Sequence, residues 1–175
     1  MTMANRKIIL TFVIMGTLLA AGGASLADGP DNRIASFASN SITPFLVIGE
    51  LSLLANNKQE AVQGAKALVC TCLITQALKI AVKEKRPNSE STTSFPSGHT
   101  SAAFAMASII ADYKPKYKQL AYGSAALIGW SRVETGSHHT HDVVAGAIIG
   151  YVTARHFTSK HIMPTDNGII LAWQF

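Results

Sequence analysis

Ser94-Phe-Pro-Ser-Gly-His-Thr-Ser101 is the stretch around which the rest of the chain is organised. Pro96 closes the serine- and threonine-rich run before it, Ser97 is a favourable N-cap, and an apolar helical pattern follows. Gly98 leaves the first turn without a side chain. A helix start of this kind presents unpaired N–H groups and a partial positive charge, which favour an oxyanion such as phosphate. His99 is placed to give or take a proton there, although an ordinary capped helix carries the same tetrapeptide.

Helical spacing of apolar residues on both sides of this stretch predicts an all-α protein. A polar lead-in over residues 28–40 is predicted to be irregular, and the tail, 163–175, is predicted to be a strand or a surface arm. The helices are predicted over residues 41–56, 59–85, 97–113, 116–131 and 142–157. We therefore expect a compact antiparallel bundle of about five helices after an N-terminal signal segment.

The longest predicted helix, 59–85, carries large apolar residues mostly at helical spacing, and we expect that face to lie in the core. Its members are Val62, Leu68, Val69, Leu73, Leu78 and Ile80. Cys70 and Cys72 in the same helix project roughly 200° apart around the axis. They are therefore predicted to be buried thiols rather than a disulfide.

The totals favour a single apolar domain. Of 175 residues, 48% are apolar and only 14% are charged, which is low for a soluble protein. The net charge of +5 is scattered along the chain, and no nucleic-acid-binding motif accompanies it. We expect a phosphorylated molecule or an anionic membrane surface as the partner, and no nucleic acid.

Residues 1–27 predict an export signal. Arg6 and Lys7 precede an apolar run over 8–21, and Ser25-Leu26-Ala27 offers small residues at the positions that a signal peptidase reads. An uncleaved membrane anchor is the alternative. In both cases residues 28–175 form one domain that is expected in the periplasm of a bacterial cell envelope.

Helix length distinguishes a soluble bundle from a membrane-spanning one. The 31 residues between His99 and Ser131 hold two helical arms and a turn, so each arm reaches little over about 20 Å, short of the roughly 30 Å hydrocarbon core. The lysines argue the other way, because they fall at the end opposite the candidate site, as the positive-inside rule places them. They are Lys58, Lys114, Lys116, Lys118 and Lys160. We weight length more and expect a soluble or membrane-surface bundle, with an integral inner-membrane protein whose site faces the periplasm as the alternative.

Three clusters of polar residues fall at one end of this bundle. They are Lys79 with Arg86-Pro87; Pro96-Ser97-Gly98-His99; and Ser131-Arg132 with His138 and Asp142. In an antiparallel bundle, the C-terminal ends of helices 59–85 and 116–131 meet the N-terminal ends of helices 97–113 and 142–157. The topology therefore predicts that the three clusters come together.

In order and spacing the clusters resemble the signature of the type 2 phosphatidic acid phosphatase family, which also contains bacterial acid phosphatases and vanadium haloperoxidases. Lys79-x6-Arg86-Pro87, Pro96-Ser97-Gly98-His99 and Ser131-Arg132-x5-His138-x3-Asp142 match without departure, over residues 79–142. The short hairpin between the second and third motifs looks more like the soluble acid phosphatases than the larger lipid phosphatases. The resemblance implies an all-helical hydrolase acting on phosphomonoesters.

The residue types of the clusters suit a phosphate dianion. Lys79, Arg86 and Arg132 supply positive charge, and the two guanidinium groups have planar forks for bidentate contact. Ser97 and the N–H of Gly98 add neutral donors. These five residues are the predicted phosphate-binding set, and they also suit the charge of a phosphoryl-transfer transition state. With three fixed cations we expect neither a metal nor another cofactor.

The resemblance implies three catalytic roles. His138 is the nucleophile that forms a phosphohistidine, and Asp142 fixes its tautomer and supports its developing charge. His99 protonates the leaving alkoxide and then activates water. Since one histidine starts neutral and the other protonated, we expect activity at mildly acidic to neutral pH. The substrate is expected to be a lipid phosphate such as phosphatidic acid, or a small phosphoester.

Three alternatives remain open from the sequence. His138-His139-Thr140-His141-Asp142 has the residue types of a zinc site. A vanadium haloperoxidase uses the same oxyanion site, and a non-catalytic envelope protein would keep only the bundle. His139 and His141 are predicted to be loop residues that border the cleft rather than catalysts.

Overall fold

The computed structural model describes residues 33–158, 162–165 and 168–171. Six α-helices and a two-stranded antiparallel sheet follow one another in this part of the chain. They are α1 (Arg33–Asn40), α2 (Ile42–Asn56), α3 (Lys58–Val82), α4 (Gly98–Tyr113), α5 (Lys118–Glu134), α6 (Thr140–Thr158), β1 (Ile162–Thr165) and β2 (Gly168–Leu171), with a 3-10 turn at Pro115–Tyr117. The prediction of a helical bundle is confirmed, and the predicted signal segment, 1–27, lies outside the described residues.

The lead-in predicted to be irregular contains α1, so that prediction is wrong for residues 33–40. Ala35 and Ser39, four residues apart, are buried on one face of α1, and this helix packs on α5. A helix of 8 residues is too short to be stable by propensity alone. Its tertiary contacts with α5 explain why the polar sequence did not reveal it.

Local signals set the helix ends nearest the candidate site. Ser97 caps α4 as predicted, since its side chain accepts a hydrogen bond from the N–H of Thr100. Helix α3 ends at Val82 rather than at residue 85. There Lys83 adopts the left-handed conformation with φ 53°, and its N–H donates to the carbonyl of Lys79.

Helix α4 lies at the centre of the bundle and packs against α3, α5 and α6. Two glycines allow α6 to approach it closely. A Cβ on Gly146 would lie 2.7 Å from the carbonyl oxygen of Ser97, and one on Gly150 would lie 2.1 Å from that of Ser101. The close approach holds the first turn of α4 against the start of α6, where two of the three motifs lie.

Substitution of Gly150 by alanine is expected to destabilise the fold by about 1–3 kcal/mol or more, because backbone atoms of α4 cannot yield to the added methyl group. Gly123 in α5 is the matched control, since a Cβ there meets nothing within 4 Å. Gly123→Ala should stabilise by up to about 1 kcal/mol through helix propensity. Thermal unfolding followed by circular dichroism measures both, and equal melting temperatures for the two variants would contradict the proposed packing.

Small side chains fill the space between the helices, and many large apolar side chains point outward. Of the face of α3 that was predicted to be buried, only Leu68 is buried, whereas Leu73 and Ile80 are 62% and 71% exposed. The buried face is made mostly of small residues instead. It consists of Ala61, Gly64, Ala65, Ala67, Leu68, Thr71, Cys72 and Thr75. The prediction of a large apolar core face is therefore wrong, and the observed pattern is typical of helices packed in lipid.

The outward apolar surface continues on the other helices. Its members include Ile34, Phe37, Ile48, Leu51, Leu120, Leu127, Trp130, Val144, Ile148 and Val152. Within the described residues, two helical stretches are long and apolar enough to cross a membrane: Ile34–Ala55, through α1 and α2, and Lys58–Val82, which is α3.

Candidate active site

The structure brings residues of the three predicted clusters together at one end of the bundle. Lys79 at the end of α3 donates from Nζ to the carbonyl of Pro96 at 2.7 Å. The N–H of Ser97 donates to the carbonyl of Asp142 at 3.0 Å, which joins the start of α4 to the start of α6. The N–H of His138 donates to the carbonyl of Arg132 at 3.0 Å. Main-chain and side-chain hydrogen bonds therefore hold the motifs in fixed relative positions.

His138 and Asp142 form a buried pair. The distance from Nδ1 of His138 to Oδ2 of Asp142 is 3.5 Å, and the two side chains are 2% and 0% exposed. Oδ2 also accepts hydrogen bonds from Oγ of Ser94 at 2.5 Å and from the N–H of His139 at 2.8 Å. These two hydrogen bonds hold Oδ2 in place, and Oδ2 lies next to Nδ1 of the His138 ring.

Asp142 is ionised in this environment. Burial raises the pKa of its carboxyl, but the hydrogen bonds from Ser94 and His139 and the neighbouring His138 outweigh that effect, and the net pKa is lowered. A charged carboxylate beside Nδ1 favours the tautomer that carries its proton on that nitrogen. The other nitrogen, Nε2, is then left with its lone pair.

Both histidines of the predicted catalytic set are neutral in the phosphate-free protein at pH 7. Burial and the nearby positive charges of Arg132, Arg86 and Lys79 lower the pKa of His99 to about 3. Burial and the same three cations lower the pKa of His138 to about 3, although Asp142 opposes the effect. Three cations therefore face one carboxylate, Asp142, and this excess of positive charge is expected for a site that binds an anion.

The two arginines differ in burial. Arg132 is 3% exposed, and its Nη1 donates to Oγ of Ser39 on α1. Arg86 is half-buried, its Nη2 lies 3.5 Å from Oγ1 of Thr93, and burial lowers its pKa while Asp142 opposes the shift. Their positive charges converge on His99 and His138 from two elements, α5 and the loop after α3.

Lys79, which was predicted to bind phosphate, contacts the loop before α4 in this structure. Its ammonium group donates to the carbonyls of Thr93, Ser94 and Pro96, at 2.6, 3.3 and 2.7 Å. An ammonium group has three protons, so these contacts occupy all of them. Lys79 therefore fastens the loop before α4 and contributes its charge to the pocket, and its direct contact with phosphate stays a prediction.

Ser97 and Gly98 begin α4 as the sequence predicted. Oγ of Ser97 accepts hydrogen bonds from the N–H and from Oγ1 of Thr100, at 3.5 and 2.9 Å. Because Oγ accepts in both contacts, its own proton remains available for an oxyanion. Gly98 sits over α3, where a Cβ would lie 3.9 Å from Cε of Lys79.

Three residues that contact residues in or beside the candidate site were missed or given other roles by sequence reasoning. Ser94 was described only as the first residue of the stretch that leads into the helix, but its hydroxyl donates to Asp142. Ser39 lies in the lead-in, where nothing in the sequence pointed to Arg132. Glu84 falls between two signature positions, and it contacts His139 and His141, the two histidines predicted to border the cleft.

Comparison with known proteins gives one family. The family model described as "PAP2 superfamily" matches residues 60–165. A lipid A 1-phosphatase from Porphyromonas gingivalis is 33% identical over 81 residues, which are 44% of this chain and 18% of that protein. The match therefore spans under a fifth of the length of that relative.

Two solved structures share the fold. The crystal structure of Aquifex aeolicus LpxE aligns with a TM-score of 0.60 at 20% identity, covering 90% of this chain and 96% of that chain. A transmembrane PAP2 type phosphatidylglycerolphosphate phosphatase from Bacillus subtilis aligns with a TM-score of 0.60 at 18% identity, covering 90% and 95%. At these identities the similarity concerns the arrangement of the helices.

Proposed function

The chain belongs to the PAP2 superfamily, and we propose that it is a phosphatase that hydrolyses phosphomonoesters of membrane lipids through a phosphohistidine. The observation that carries the proposal is the buried His138–Asp142 pair, set among three convergent cations. An ionised carboxylate beside a neutral imidazole is the arrangement of an activated nucleophile and its orienting group.

The proposed first step is attack of Nε2 of His138 on phosphorus. The N–P bond forms as the P–O bond to the alcohol breaks, and His99 gives a proton to the leaving alkoxide. Asp142 stabilises the positive imidazole ring that results. Arg86, Arg132, the Ser97 hydroxyl and the N-terminal turn of α4 stabilise the charge on the equatorial oxygens.

The proposed second step is hydrolysis of the phosphohistidine. His99, now neutral, takes a proton from water as the water oxygen attacks phosphorus. The N–P bond breaks, His138 returns to its neutral form, and inorganic phosphate leaves. In this scheme the fixed guanidinium groups supply the positive charge, so the proposal includes no metal and no other cofactor.

A lipid substrate is supported by the surface beside the site. A shallow groove next to the site is lined by Phe95, Thr140, His141, Val144, Ala145 and Ile148. Its apolar wall along α6 begins at Val144, two residues from Asp142, and Val144 and Ile148 in this wall are exposed. Acyl chains fit such a wall while the headgroup phosphate enters the cationic pocket. The names of the relatives, a lipid A phosphatase and a phosphatidylglycerolphosphate phosphatase, point to the same substrate class.

We propose that the protein is anchored in the bacterial inner membrane through its two candidate spans, 34–55 and 58–82, with the site facing the periplasm. The exposed apolar side chains outside these spans extend the same lipid-facing surface. The lysines at the end that holds residues 58 and 114–118 favour the cytoplasmic side for that end, which supports a periplasmic site. Retention in the membrane fraction after an alkaline carbonate wash is the expected result, and release into the supernatant would favour a soluble bundle.

Phosphate release from purified full-length protein in the presence of EDTA tests the proposed function. The panel contains an aryl phosphate, phosphatidic acid, phosphatidylglycerophosphate and lipid A. We expect EDTA-resistant turnover that vanadate inhibits, with a lipid as the preferred substrate. Preference for the aryl phosphate would favour a small soluble ester, and activity abolished by EDTA would contradict the metal-independent mechanism.

Binding of a phosphate analogue at pH 7 is expected to take up about one proton per site. The free protein holds His99 and His138 neutral because their pKa values are lowered to about 3. A bound dianion opposes the three cations and raises the pKa of His99, which supplies the proton that the leaving group needs. Calorimetric titration with vanadate in buffers of different ionisation enthalpy measures the uptake. Binding without proton exchange would contradict His99 as the proton donor.

A further inference from the structure

Four side chains beside the pocket form a cluster, and only one of them, Asp142, has a role in the proposed reaction. Oε1 of Glu84 lies 2.7 Å from Nε2 of His141 and 3.2 Å from Nδ1 of His139. Asp142 closes the cluster, with Oδ1 3.3 Å from Nε2 of His141 and Oδ2 3.4 Å from Nδ1 of His139. One ligand atom from each residue lies within 4.8 Å of all the others.

Two polar atoms of this cluster are buried without a hydrogen-bond partner among the described residues. They are Nδ1 of His139 and Oδ1 of Asp142. Asp142 is completely buried, and Oδ1 is the oxygen that neither Ser94 nor the N–H of His139 engages. A buried carboxylate oxygen without a donor is costly, and a bound cation is one way to satisfy it.

We propose that Glu84, His139, His141 and Oδ1 of Asp142 bind a divalent transition metal of the zinc class. A tetrahedral zinc ion with ligands at about 2.0–2.2 Å spaces its ligand atoms about 3.3–3.6 Å apart. Oε1 of Glu84 lies 2.7 Å from Nε2 of His141 and 3.2 Å from Nδ1 of His139, and Oδ1 of Asp142 lies 3.3 Å from Nε2 of His141, so these pairs need a small expansion to accept the ion. One ligand atom from each of the four residues lies within 4.8 Å of the others, so the remaining pairs need at most a modest contraction. Two imidazoles and two carboxylates are a donor set that zinc accepts.

Neighbouring groups hold the ligands in place. The carbonyl of Glu84 accepts a hydrogen bond from the N–H of Ser94 at 2.9 Å, which ties the beginning of the loop between α3 and α4 to its end. The ring of Phe95 stacks on His141, which in turn stacks on His139 at a centroid distance of 5.1 Å and an angle of 10°. The cluster thus joins two segments of the chain, the loop between α3 and α4 and the start of α6, and His138 is not part of it.

Metal binding and catalysis share Asp142. A cation on Oδ1 withdraws negative charge from the carboxylate whose other oxygen faces His138. The developing positive charge on His138 then loses part of its stabilisation, so zinc acts as an inhibitor. This inhibitory effect rests on the proposed function, whereas the binding of the metal does not.

Cobalt(II) and zinc titrations of the full-length protein test the binding directly. We expect one cobalt ion per chain with the visible absorption of a four-coordinate site, displaced by one zinc ion. Glu84→Gln and His141→Ala should each weaken zinc binding by at least about tenfold. His156→Ala is the matched control, because His156 is an exposed histidine at the other end of α6. Equal binding by all four proteins, or no binding by the unmodified protein, would overturn the proposal.

Activity assays then test the inhibition. Zinc should reduce the turnover of the EDTA-treated enzyme by about tenfold or more, and Glu84→Gln should keep its turnover at the same zinc concentration. Zinc that binds with the expected stoichiometry but leaves turnover unchanged would overturn the inhibitory role. A protein that binds zinc at the cluster and shows no turnover without metal would confirm the site and contradict the proposed function.

Discussion

Replacement of His138 by glutamine is expected to lower kcat by about 10⁵-fold or more, because it removes the proposed nucleophile. Glutamine is similar in size to histidine, so the buried space, 2% exposed in the native protein, stays filled. The amide is not nucleophilic enough to attack phosphorus. Stopped assays with the preferred lipid substrate measure the loss, and the melting temperature checks that the variant folds.

The intermediate provides a second readout for the same residue. With an aryl phosphate, whose leaving group departs without a proton from His99, the His99→Asn variant should still form the intermediate but hydrolyse it slowly. We then expect an acid-labile, alkali-stable phosphate on the protein, as a phosphohistidine requires. The same preparation carrying His138→Gln should have none. His156→Ala controls for the loss of any histidine and should retain full turnover. Full activity in the His138 variant would refute the mechanism.

Sequence order and helix direction were sufficient to predict that the three clusters meet at one end of the bundle. The motifs fall at alternate ends of consecutive helices, so an antiparallel bundle brings Lys79, His99 and His138 to the same end without knowledge of any side-chain contact. The cap at Ser97 was also predictable, because an N-cap is a local feature. These predictions depend on the order of the helices and on local chemistry, which a single sequence contains.

The inward and outward faces of the helices were not predictable from hydrophobicity. Leu73 and Ile80 were assigned to the core, but in the structure they point outward and small residues pack inward. Hydrophobic periodicity identifies the buried face only when water surrounds the protein. When lipid surrounds it, close helix packing favours glycine, alanine and threonine inside, which reverses the pattern.

The outward-facing apolar side chains also weaken the argument from helix length for a soluble bundle. Helices α4 and α5 have 16 and 17 residues, as short as the sequence predicted. Length alone therefore favoured a soluble bundle. The exposed apolar side chains, Leu120 and Leu127 on α5 among them, favour lipid contact instead. A helix shorter than the bilayer can still lie in it when the bilayer thins locally around the protein. The neighbouring helix α3, with 25 residues, is long enough to span the bilayer.

Contacts between distant segments were beyond sequence reasoning. Ser39 reaches Arg132, and Ser94 reaches Asp142, across 93 and 48 positions of the chain. A serine carries no signal of its own for such a role, since most serines lie on the surface. Lys79 differs from the two serines, because its motif was recognised from the sequence. Its hydrogen bonds to three loop carbonyls were not predicted.

Replacement of Asp142 by asparagine is expected to lower kcat by about 10³–10⁴-fold while the protein still folds. The amide oxygen can take the place of Oδ2 and keep the hydrogen bonds from Ser94 and the N–H of His139. The amide nitrogen then occupies the position of Oδ1, which no described residue hydrogen-bonds. The fold loses little, but the negative charge that orients His138 and stabilises its positive form is gone.

Ser94→Ala separates the charge of Asp142 from its hydrogen bonds. This variant removes one bond to Oδ2 but leaves the carboxylate, so we expect it to retain far more turnover than Asp142→Asn, with a loss of about tenfold. Melting temperatures within a few degrees of the native protein, together with these unequal losses, would establish that the charge of Asp142 acts on catalysis. If Asp142→Asn unfolds instead, the carboxylate is needed to join α6 to the loop before α4, and its role is structural.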